Sequence, residues 1–423
     1  MTDAAMTANR RNHLGPLSAA RAWPDSGYWR VPNWIYTDPE IFVRESECVF
    51  GANDWLYTCL EAEIPNPGDF KRSQLGMRDV VAVRDGDGAI NVFLNRCAHR
   101  GMQVCAASHG SAKEFVCPYH QWTYDRAGNL LGVPFQRGYR GQGGMPEDFR
   151  KQEHGLRRLA VTQRHGVVFA SFGAPNEEFA AYLGERMLGY FDRVFDGREL
   201  VVLGYMRQRI LSNWKLMFEN IKDPYHASLL HVFLVTFGLF RLDQQSSVEM
   251  DDTGRHAVLV SRKGAQETND ATAQMRAFKA DFALRDQRLL DPVREFPGDA
   301  TVVMQTLWPN LIVQQQSNTL AMRQIVPLDA RRFDLAWTFF GYADDTPDMR
   351  QRRLRQANLM GPAGLVSLDD SEAMLLSQAG LDGNDDETCL VEMGGRAVAN
   401  EPRMVTETAI RGFYRHYRAV MGL

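Results

Sequence analysis

The chain has 423 residues, of which 44% are hydrophobic and 24% are charged, and its formal net charge is -4. That balance is typical of a globular protein, and at about 150 residues per domain the length predicts two or three domains. No apolar run approaches the roughly 18 residues that a membrane span needs, and no basic tract indicates a nucleic-acid partner. Residues 10–13, Arg-Arg-Asn-His, stand where a secretory signal would need its apolar core, so we expect a cytoplasmic protein.

The first predicted helix begins at Asp38-Pro39, because aspartate caps a first turn and proline fits the first helical position. From Asp54 to about Ala170, short β-rich runs alternate with turn signals such as Asp85-Gly-Asp-Gly88. This stretch predicts a small all-β domain. The glycine-rich loop 138–144 lacks the spacing of a dinucleotide-binding loop and is interpreted as a linker.

The second half of the chain predicts long helices that alternate with groups of strands. Helical periodicity covers 212–234, 347–360 and 404–421, and strand patterns cover 257–262, 301–307, 311–316, 319–325 and 333–340. Consecutive strands with short connections favour an antiparallel sheet flanked by helices. We therefore expect an α+β domain in this half.

Two short loops of the β domain each supply one cysteine and one histidine. They are Cys97-Ala-His99 and, after 17 intervening residues, Cys117-Pro-Tyr-His120. Zinc sites usually pair cysteine with cysteine and histidine with histidine, whereas mixed loops suit a two-iron cluster with two cysteines on one iron and two histidines on the other. Structural zinc stays the alternative. The remaining cysteines have no ligand spacing and are expected to be buried or free thiols: Cys48, Cys59, Cys105 and Cys389.

A second group of polar residues follows Asn213-Trp-Lys in the helical half. His226 and His231 are five residues apart, about 140° around a helix, so they cannot share one face of a straight helix. Pro224 supplies a physical reason for a break in the helix at this point. Two histidines and one carboxylate form the usual site of a non-heme Fe(II) oxygenase. Buried structural histidines and a helix-capping Asp223 are the alternatives that these residues leave open.

The flanks of these motifs resemble one known family. Cys97-Ala-His-Arg-Gly101, Cys117-Pro-Tyr-His-Gln-Trp122 and Asn220-Ile-Lys-Asp-Pro-Tyr-His226 are similar to segments of the large (alpha) subunits of Rieske non-heme iron aromatic-ring-hydroxylating oxygenases. Respiratory Rieske proteins have two further cysteines where this chain has Met102 and Tyr119. The resemblance implies one Rieske [2Fe-2S] cluster, with one iron held by two cysteines and the other by two histidines: Cys97, Cys117, His99 and His120.

The same resemblance implies one mononuclear Fe(II), held by His226, His231 and a carboxylate from a later segment. Alignment on Gly361-Pro-Ala-Gly364 places that carboxylate at Asp370, with Asp369 as the alternative. The matching aspartate of the family bridges a Rieske histidine of the neighbouring subunit to a histidine of the mononuclear site. That bridge is the role expected of Asp223, and it implies a site shared between chains in a trimer.

The fold implied is α+β, with an all-β Rieske domain and a catalytic domain of helix-grip type. The expected boundaries are 1–40 for an N-terminal segment packed on the catalytic domain, 41–165 for the Rieske domain and 166–423 for the catalytic domain. No NAD or flavin motif occurs, so electrons are expected from a separate ferredoxin and NAD(P)H-dependent reductase. A small beta subunit in an α3β3 assembly, or at least a trimer, is also implied. An acidic partner could dock on one helix, although a solvated face also explains its arginines: Arg350, Arg352, Arg353 and Arg355.

Within the family, the resemblance is nearest to large subunits that act on aromatic acids. It predicts hydroxylation of an aromatic carboxylate with O2, as in the salicylate 5-hydroxylases, with anthranilate or ortho-halobenzoate 1,2-dioxygenase activity as the alternative. A Rieske electron-transfer protein without catalysis is the alternative of another class. Strand alternation puts Gln314 and Gln316 on one face. The candidate pocket residues are Asn220, Met217, Leu230, Gln316, Met360 and Val366.

Overall fold

The structure is a computed structural model that describes residues 21–24, 27–241, 244–262 and 270–423. The described residues form two compact units. The β unit comprises 52–176, and the large unit comprises the described residues before 52 and after 176. No helix in these ranges combines the length and apolar character that a membrane crossing requires.

The large unit begins with three short elements that carry no part of the sites: strand β1 (Arg30–Pro32) and helices α1 (Trp34–Thr37) and α2 (Pro39–Cys48). As predicted, the Asp38 side chain caps α2 by accepting the Glu40 N–H at 2.7 Å, and Pro39 takes the first helical position.

The β unit consists of three antiparallel sheets, which confirms the predicted all-β domain. Their orders are β5-β4-β3-β6, β7-β8-β9 and β10-β11-β2. Rings from three strands, Phe70, Phe93 and Phe115, meet edge to face in its core. The strands are β2 (Leu56–Leu60), β3 (Asp69–Leu75), β4 (Arg78–Arg84), β5 (Ile90–Leu94), β6 (His109–Ser111), β7 (Phe115–Val116), β8 (Thr123–Tyr124), β9 (Leu130–Gly132), β10 (Ala160–Arg164) and β11 (Val167–Ser171).

The large unit is built on one seven-stranded antiparallel sheet of order β12-β18-β17-β16-β15-β14-β13, as the α+β prediction requires. Its strands are β12 (Leu200–Ile210), β13 (Ser246–Met250), β14 (Ala257–Arg262), β15 (Ala300–Leu307), β16 (Leu311–Gln316), β17 (Thr319–Asp329) and β18 (Arg332–Tyr342), and β19 (Thr388–Leu390) pairs with β1. Its remaining helices are α3 (Phe179–Val194), α4 (Trp214–Lys222), α5 (Ala227–Leu230), α6 (Val232–Thr236), α7 (Asp270–Ala273), α8 (Pro347–Met360), α9 (Leu365–Leu381) and α10 (Thr408–Met421).

Helix α4 lies on the sheet against β14, β15 and β17, and α9 packs on α4, α6 and β12. This arrangement places the end of α4 and the start of α9 over the middle of the sheet. Trp214 and Phe218 of α4 pack with Trp308 and Phe413, so aromatic contacts fix α4 in place. The metal-binding candidates lie where these two helices face the sheet.

The two units differ from the predicted domain boundaries. Helix α2 lies in the large unit, because Glu45 pairs with Lys215 at 2.6 Å and also accepts hydrogen bonds from the Trp214 indole and the Tyr417 hydroxyl. Strand β11, which the prediction assigned to the catalytic domain, lies in the β unit because it pairs with β2 and β10. The start of the β unit is therefore near 52 rather than 41, and its end is near 176 rather than 165. Of the N-terminal segment 1–40, residues 1–20 and 25–26 lie outside the described residues.

Candidate metal centres and substrate cavity

The two Cys/His loops of the β unit have the same backbone geometry. In each loop the cysteine N–H donates to the carbonyl five residues later, Met102 at 2.7 Å and Trp122 at 2.9 Å. In each loop the cysteine carbonyl also accepts from the N–H four residues later, at Gly101 and Gln121. These two residues have positive φ angles, 74° and 55°, which turn both loops back sharply. The matched loops present one cysteine and one histidine each to a shared space.

The four side chains that the sequence singled out lie together in this space. Cys97 and Cys117 are buried in the core of the β unit, and all six cysteines are free thiols. The rings of His99 and His120 are 4.5 Å apart, and His99 stacks on Trp122. The His99 Nδ1 atom is buried without a hydrogen-bond partner, as a nitrogen reserved for a metal would be. Burial, with the nearby His120 and Arg100, lowers the pKa of His99, which keeps its ring neutral. Two thiols and two imidazoles fit a Rieske cluster.

Tyr124 joins the two loops through its side chain. It lies on β8, directly after the second loop, yet its hydroxyl reaches Cys97 of the first loop at 3.2 Å from Sγ. The same hydroxyl accepts the Ala98 N–H at 3.1 Å, so its own proton is available to the sulfur. Burial and the neighbouring Cys97 raise the pKa of Tyr124, which therefore remains protonated and can donate.

The predicted helix 212–234 is broken at the predicted place. Asn213 caps α4 by accepting the Lys215 N–H at 3.1 Å, and α4 ends at Lys222, two residues before Pro224. The chain resumes in α5 and α6, which are separated by His231 in an extended conformation. Because the helical path is interrupted again at His231, the separation of a straight helix does not apply, and His226 and His231 face the same point.

The atoms of His226, His231 and Asp370 that could bind a metal converge. One ligand atom from each residue lies within 4.8 Å of the others. Asp370 Oδ1 is 3.4 Å from His226 Nε2 and 3.2 Å from His231 Nε2. The Nδ1 atoms point away: His226 Nδ1–H donates to the Asp223 carbonyl, and His231 Nδ1–H donates to Asp369 Oδ2 at 3.3 Å. Both rings are thus held with Nε2 as the free nitrogen, which is the arrangement of metal-binding histidines.

The electrostatics of this group favour a cation. Burial alone would raise the pKa of the Asp370 carboxyl, but hydrogen bonds and charge interactions with His226 and His231 outweigh burial and lower it. Burial likewise disfavours a charged His226, yet Asp223 and Asp370 raise the pKa of His226 to about 10. The site therefore holds positive charge beside Asp370, either as protons or as a divalent metal that replaces them. Two imidazoles and one carboxylate that converge on one point fit a mononuclear iron.

The other predicted residues near this group take different positions. Asn220 Nδ2 donates to Asp370 Oδ1 at 3.0 Å and lies 3.3 Å from His226 Nε2. Asp369 lies on the outer side of the His231 ring, where it cannot share a metal with Nε2. The Asp223 carboxylate accepts the His226 backbone N–H at 3.3 Å, as a cap would, and lies 3.7 Å from His226 Nδ1.

A cavity of about 540 Å³, its open mouth included, adjoins the three ligand candidates. As predicted, it is lined by Asn220, Gln316, Met360 and Val366, and Gln314 lies on the same face as Gln316. Met217 and Leu230 were predicted to line it and do not. Met217 is buried behind the wall, with its sulfur 3.6 Å from the Arg323 guanidinium, and Leu230 is outside the lining. Apolar lining is provided by Leu234, Phe240, Leu259, Val302, Met304 and Trp337.

Arg323 is the cavity residue that sequence reasoning missed. Only 3% of it is exposed, and no described carboxylate forms a salt bridge with it. Its guanidinium stacks 4.3 Å over the Trp337 ring, Nη1 donates to Gln314 Oε1 at 3.4 Å, and Nε is buried without a partner. Burial lowers its pKa to about 10, so it stays charged at neutral pH. The sequence feature that could have identified Arg323 is a single arginine within the mostly apolar strand Leu320-Ala-Met-Arg-Gln-Ile-Val326, because a buried charge needs a partner.

The arginines of α8 do not form one free surface. Arg353 is buried and pairs with Asp345 and Glu295, and Arg352 pairs with Asp291 at 2.7 Å. A docking role for all four is therefore wrong, since at least one has a structural role in the core of the large unit.

Residues 197–423 match the model of the ring hydroxylating alpha subunit (catalytic domain) family, and residues 54–144 match the Rieske [2Fe-2S] domain. The chain belongs to the ring-hydroxylating oxygenase alpha-subunit family. It is 51% identical to the large oxygenase component of salicylate 5-hydroxylase from Ralstonia sp over 95% of this chain and 96% of that protein. It is 44% identical to the anthranilate 1,2-dioxygenase large subunit of Burkholderia cepacia, over 93% of each chain. The fold matches naphthalene 1,2-dioxygenase from Rhodococcus sp., with a TM-score of 0.78, 24% identity and coverage of 93% and 94%.

Proposed function

We propose that this chain is the oxygenase large subunit of a multicomponent system that hydroxylates an aromatic carboxylate with O2, with salicylate as the substrate and gentisate as the product. The observation that carries the proposal is the buried Arg323, which faces the cavity that also contains the three convergent ligand atoms. The charge of Asp370 acts on Arg323 only through space, and a buried cation with no directly paired carboxylate is costly unless a ligand supplies the anion. Salicylate is proposed as the substrate because the chain is similar to the Ralstonia salicylate 5-hydroxylase component. Anthranilate is the second candidate, because the Burkholderia relative is named for it.

The metal ligands proposed are Cys97, His99, Cys117 and His120 for one [2Fe-2S] cluster and His226, His231 and Asp370 for one Fe(II). When bound, the cluster supplies single electrons and the Fe(II) activates O2 beside the substrate. Conversion of salicylate to gentisate consumes O2, two electrons and two protons, and releases water. Insertion of one oxygen atom and insertion of two use the same metal ligands, so the ligand set does not distinguish a monooxygenase from a dioxygenase.

The chain's own residues bind and orient the acid. Arg323 supplies a charged donor for the carboxylate, and its stacking on Trp337 fixes the guanidinium plane. The Gln316 side-chain oxygen already accepts from Gln314 Nε2 at 3.1 Å, so its amide N–H is the group left to donate to the substrate. Apolar side chains enclose the ring and exclude water.

Asp223 is proposed to connect the two metal centres between neighbouring chains. The Asp223 carboxylate lies 3.7 Å from His226 Nδ1, whose N–H donates to the Asp223 backbone carbonyl. The Asp223 side chain is 20% exposed and can accept an N–H from outside the chain.

The partners proposed are a ferredoxin, an NAD(P)H-dependent reductase and a small beta subunit in an α3β3 assembly in the cytoplasm. The relatives named as large components or large subunits support a multicomponent system. The deciding experiment supplies the loaded protein and its partners with salicylate, anthranilate, ortho-chlorobenzoate and naphthalene. Gentisate from salicylate, with matched O2 consumption, is expected. Turnover of naphthalene alone would contradict an acid substrate, and electron transfer without product from any of the four would contradict catalysis.

Gln316→Ala tests the amide contact with the acid. Loss of one hydrogen bond to a charged group, about 1.5 kcal/mol or more, should raise KM for salicylate about tenfold with a smaller change in kcat. Steady-state kinetics measure this split. Gln315→Ala is the matched control, because the Gln315 side chain points to the opposite face and bonds the Thr301 and Ser317 carbonyls. An unchanged KM in Gln316→Ala would remove this residue from the substrate contacts.

Tyr124→Phe tests the hydrogen bond to Cys97. The hydroxyl stabilises the reduced cluster more than the oxidised one, because reduction adds negative charge to the sulfurs. Its loss should lower the reduction potential by tens of millivolts, on the order of the 59 mV that a tenfold change represents for one electron. Redox titration followed by visible absorption measures the potential. Tyr57→Phe, another buried tyrosine of the β unit, should leave the potential unchanged. A Tyr124→Phe potential equal to that of the wild type would show that the hydroxyl does not donate to a cluster sulfur.

A further inference from the structure

Asp369 touches the metal-binding group without being able to join it. Its Oδ2 accepts the Nδ1–H of His231 at 3.3 Å, while His231 Nε2 faces Asp370 at 3.2 Å. The two nitrogens of an imidazole point in different directions, so a carboxylate bound at Nδ1 lies outside the coordination sphere of a metal bound at Nε2. Asp369 was the alternative ligand in the sequence, and this geometry gives it a different role.

We infer that Asp369 is a positioning residue for the iron: its carboxylate holds the His231 ring with Nε2 directed at the metal and makes that ring a stronger donor. The inference rests on the Fe(II) site of the proposed function. A carboxylate that accepts the second N–H of a metal-binding histidine fixes the ring orientation and raises its basicity as a ligand.

The two histidines are held by different kinds of group. His226 Nδ1–H donates to the backbone carbonyl of Asp223, which no side-chain substitution removes. Among the described residues, the only hydrogen-bond partner of His231 Nδ1 is the Asp369 carboxylate. The His231 side chain is 3% exposed, so water has little access to replace that partner. Orientation of the His231 ring therefore depends on one side chain.

Helix α9 places both carboxylates with a single backbone. Asp369 and Asp370 are consecutive, so their side chains diverge by about 100° around the helix. One is buried against both histidines, with 8% of its side chain exposed, and the other lies at the outer edge of His231, with 36% exposed. Because the two residues are consecutive on one helix, α9 positions both the Asp370 ligand oxygen and, through Asp369, the His231 ring that binds the same metal. Asp369 also adds negative charge next to a dication without entering its coordination sphere.

The test compares Asp369→Leu, which removes the acceptor at similar size, with Asp369→Asn, which keeps an acceptor oxygen and removes the charge. Fe(II) affinity is measured on the cluster-loaded protein by competition with a coloured ferrous chelator. Asp369→Leu should weaken Fe(II) binding about 10- to 100-fold, and Asp369→Asn should fall between it and the wild type. The visible spectrum of the cluster and the thermal midpoint, which report the fold, should stay as in the wild type.

Glu372→Gln is the matched control, since it also removes an acid from α9 and lies on the exposed face. Wild-type affinity in Asp369→Leu would overturn the inference. If Asp369→Leu does not fold, the Asn variant decides: an affinity equal to that of Glu372→Gln overturns the inference, and a severalfold weaker one supports it. Failure of the wild-type chain to bind Fe(II) would instead contradict the proposed function, so the two failures can be told apart.

Discussion

Replacing Arg323 with methionine should lower kcat/KM for salicylate about a hundredfold, a loss of roughly 2.7 kcal/mol in transition-state binding. Methionine retains the unbranched stem that packs beside Trp337 but removes every N–H donor and the charge. Removing one partner of a charge-assisted hydrogen bond in a cavity that excludes water costs about 2 kcal/mol or more of binding free energy. Steady-state kinetics with O2 uptake and product quantification measure the change.

The substrate itself supplies the control for Arg323. Salicylamide has the same ring and hydroxyl without the negative charge, so its turnover should change little between the wild type and Arg323→Met. Arg323→Lys, which keeps a charge but loses the planar fork, should have intermediate activity on salicylate. Equal losses for the acid and the amide would mean that Arg323 supports the cavity wall and does not recognise the carboxylate. The thermal midpoint distinguishes the two roles, because a defect in the cavity wall lowers it and the loss of a substrate contact alone does not.

Replacing Asp370 with alanine should abolish hydroxylation, by at least about a thousandfold or roughly 4 kcal/mol, and should release the mononuclear iron. Asp370 is the only carboxylate in the convergent group, and its oxygen lies within 3.4 Å of both histidine Nε2 atoms. The Rieske loops lie in the β unit and share no residue with the group of His226, His231 and Asp370. The visible spectrum and reduction potential of the cluster should therefore be those of the wild type, and iron analysis should fall by about one per chain.

Asp370→Ala also separates an oxygenase from an electron carrier with a structural second domain. A carrier would accept and donate electrons at the wild-type rate and would have no turnover to lose. Glu372→Gln on the same helix serves as control, with unchanged iron content and activity expected. Retention of hydroxylation in Asp370→Ala would eliminate the assigned mononuclear site.

The local motifs could be predicted because each depends on residues close together in the chain. The mixed Cys/His loops and the helix break at Pro224 follow from short spacings, and the structure confirms the break between α4 and α5. Asp370 could be chosen over Asp369 only by family resemblance. Its physical reason, the direction of each side chain around α9, depends on where the helix packs.

What the sequence did not reveal depends on long-range contacts. Arg323 lies inside an apolar strand, and only the register that pairs it with Trp337 and faces it toward the cavity gives it a function. Met217 is apolar and three residues from Asn220, but α4 turns it behind the wall. The domain boundary was misplaced because α2 is held to the large unit by the Glu45–Lys215 pair, 170 residues apart. Apart from the single arginine within an apolar strand, none of these contacts has a local signal in the chain.

The most direct measurement is the iron, zinc and acid-labile sulfide content of the chain purified after cluster assembly, together with its visible spectrum. Two separate iron centres predict about three irons and about two sulfides per chain, no stoichiometric zinc and the absorption of a Rieske cluster. Zinc in place of iron, or a chain that saturates at two irons with the His226, His231 and Asp370 group unable to bind Fe(II), would contradict the presence of an oxygenase site.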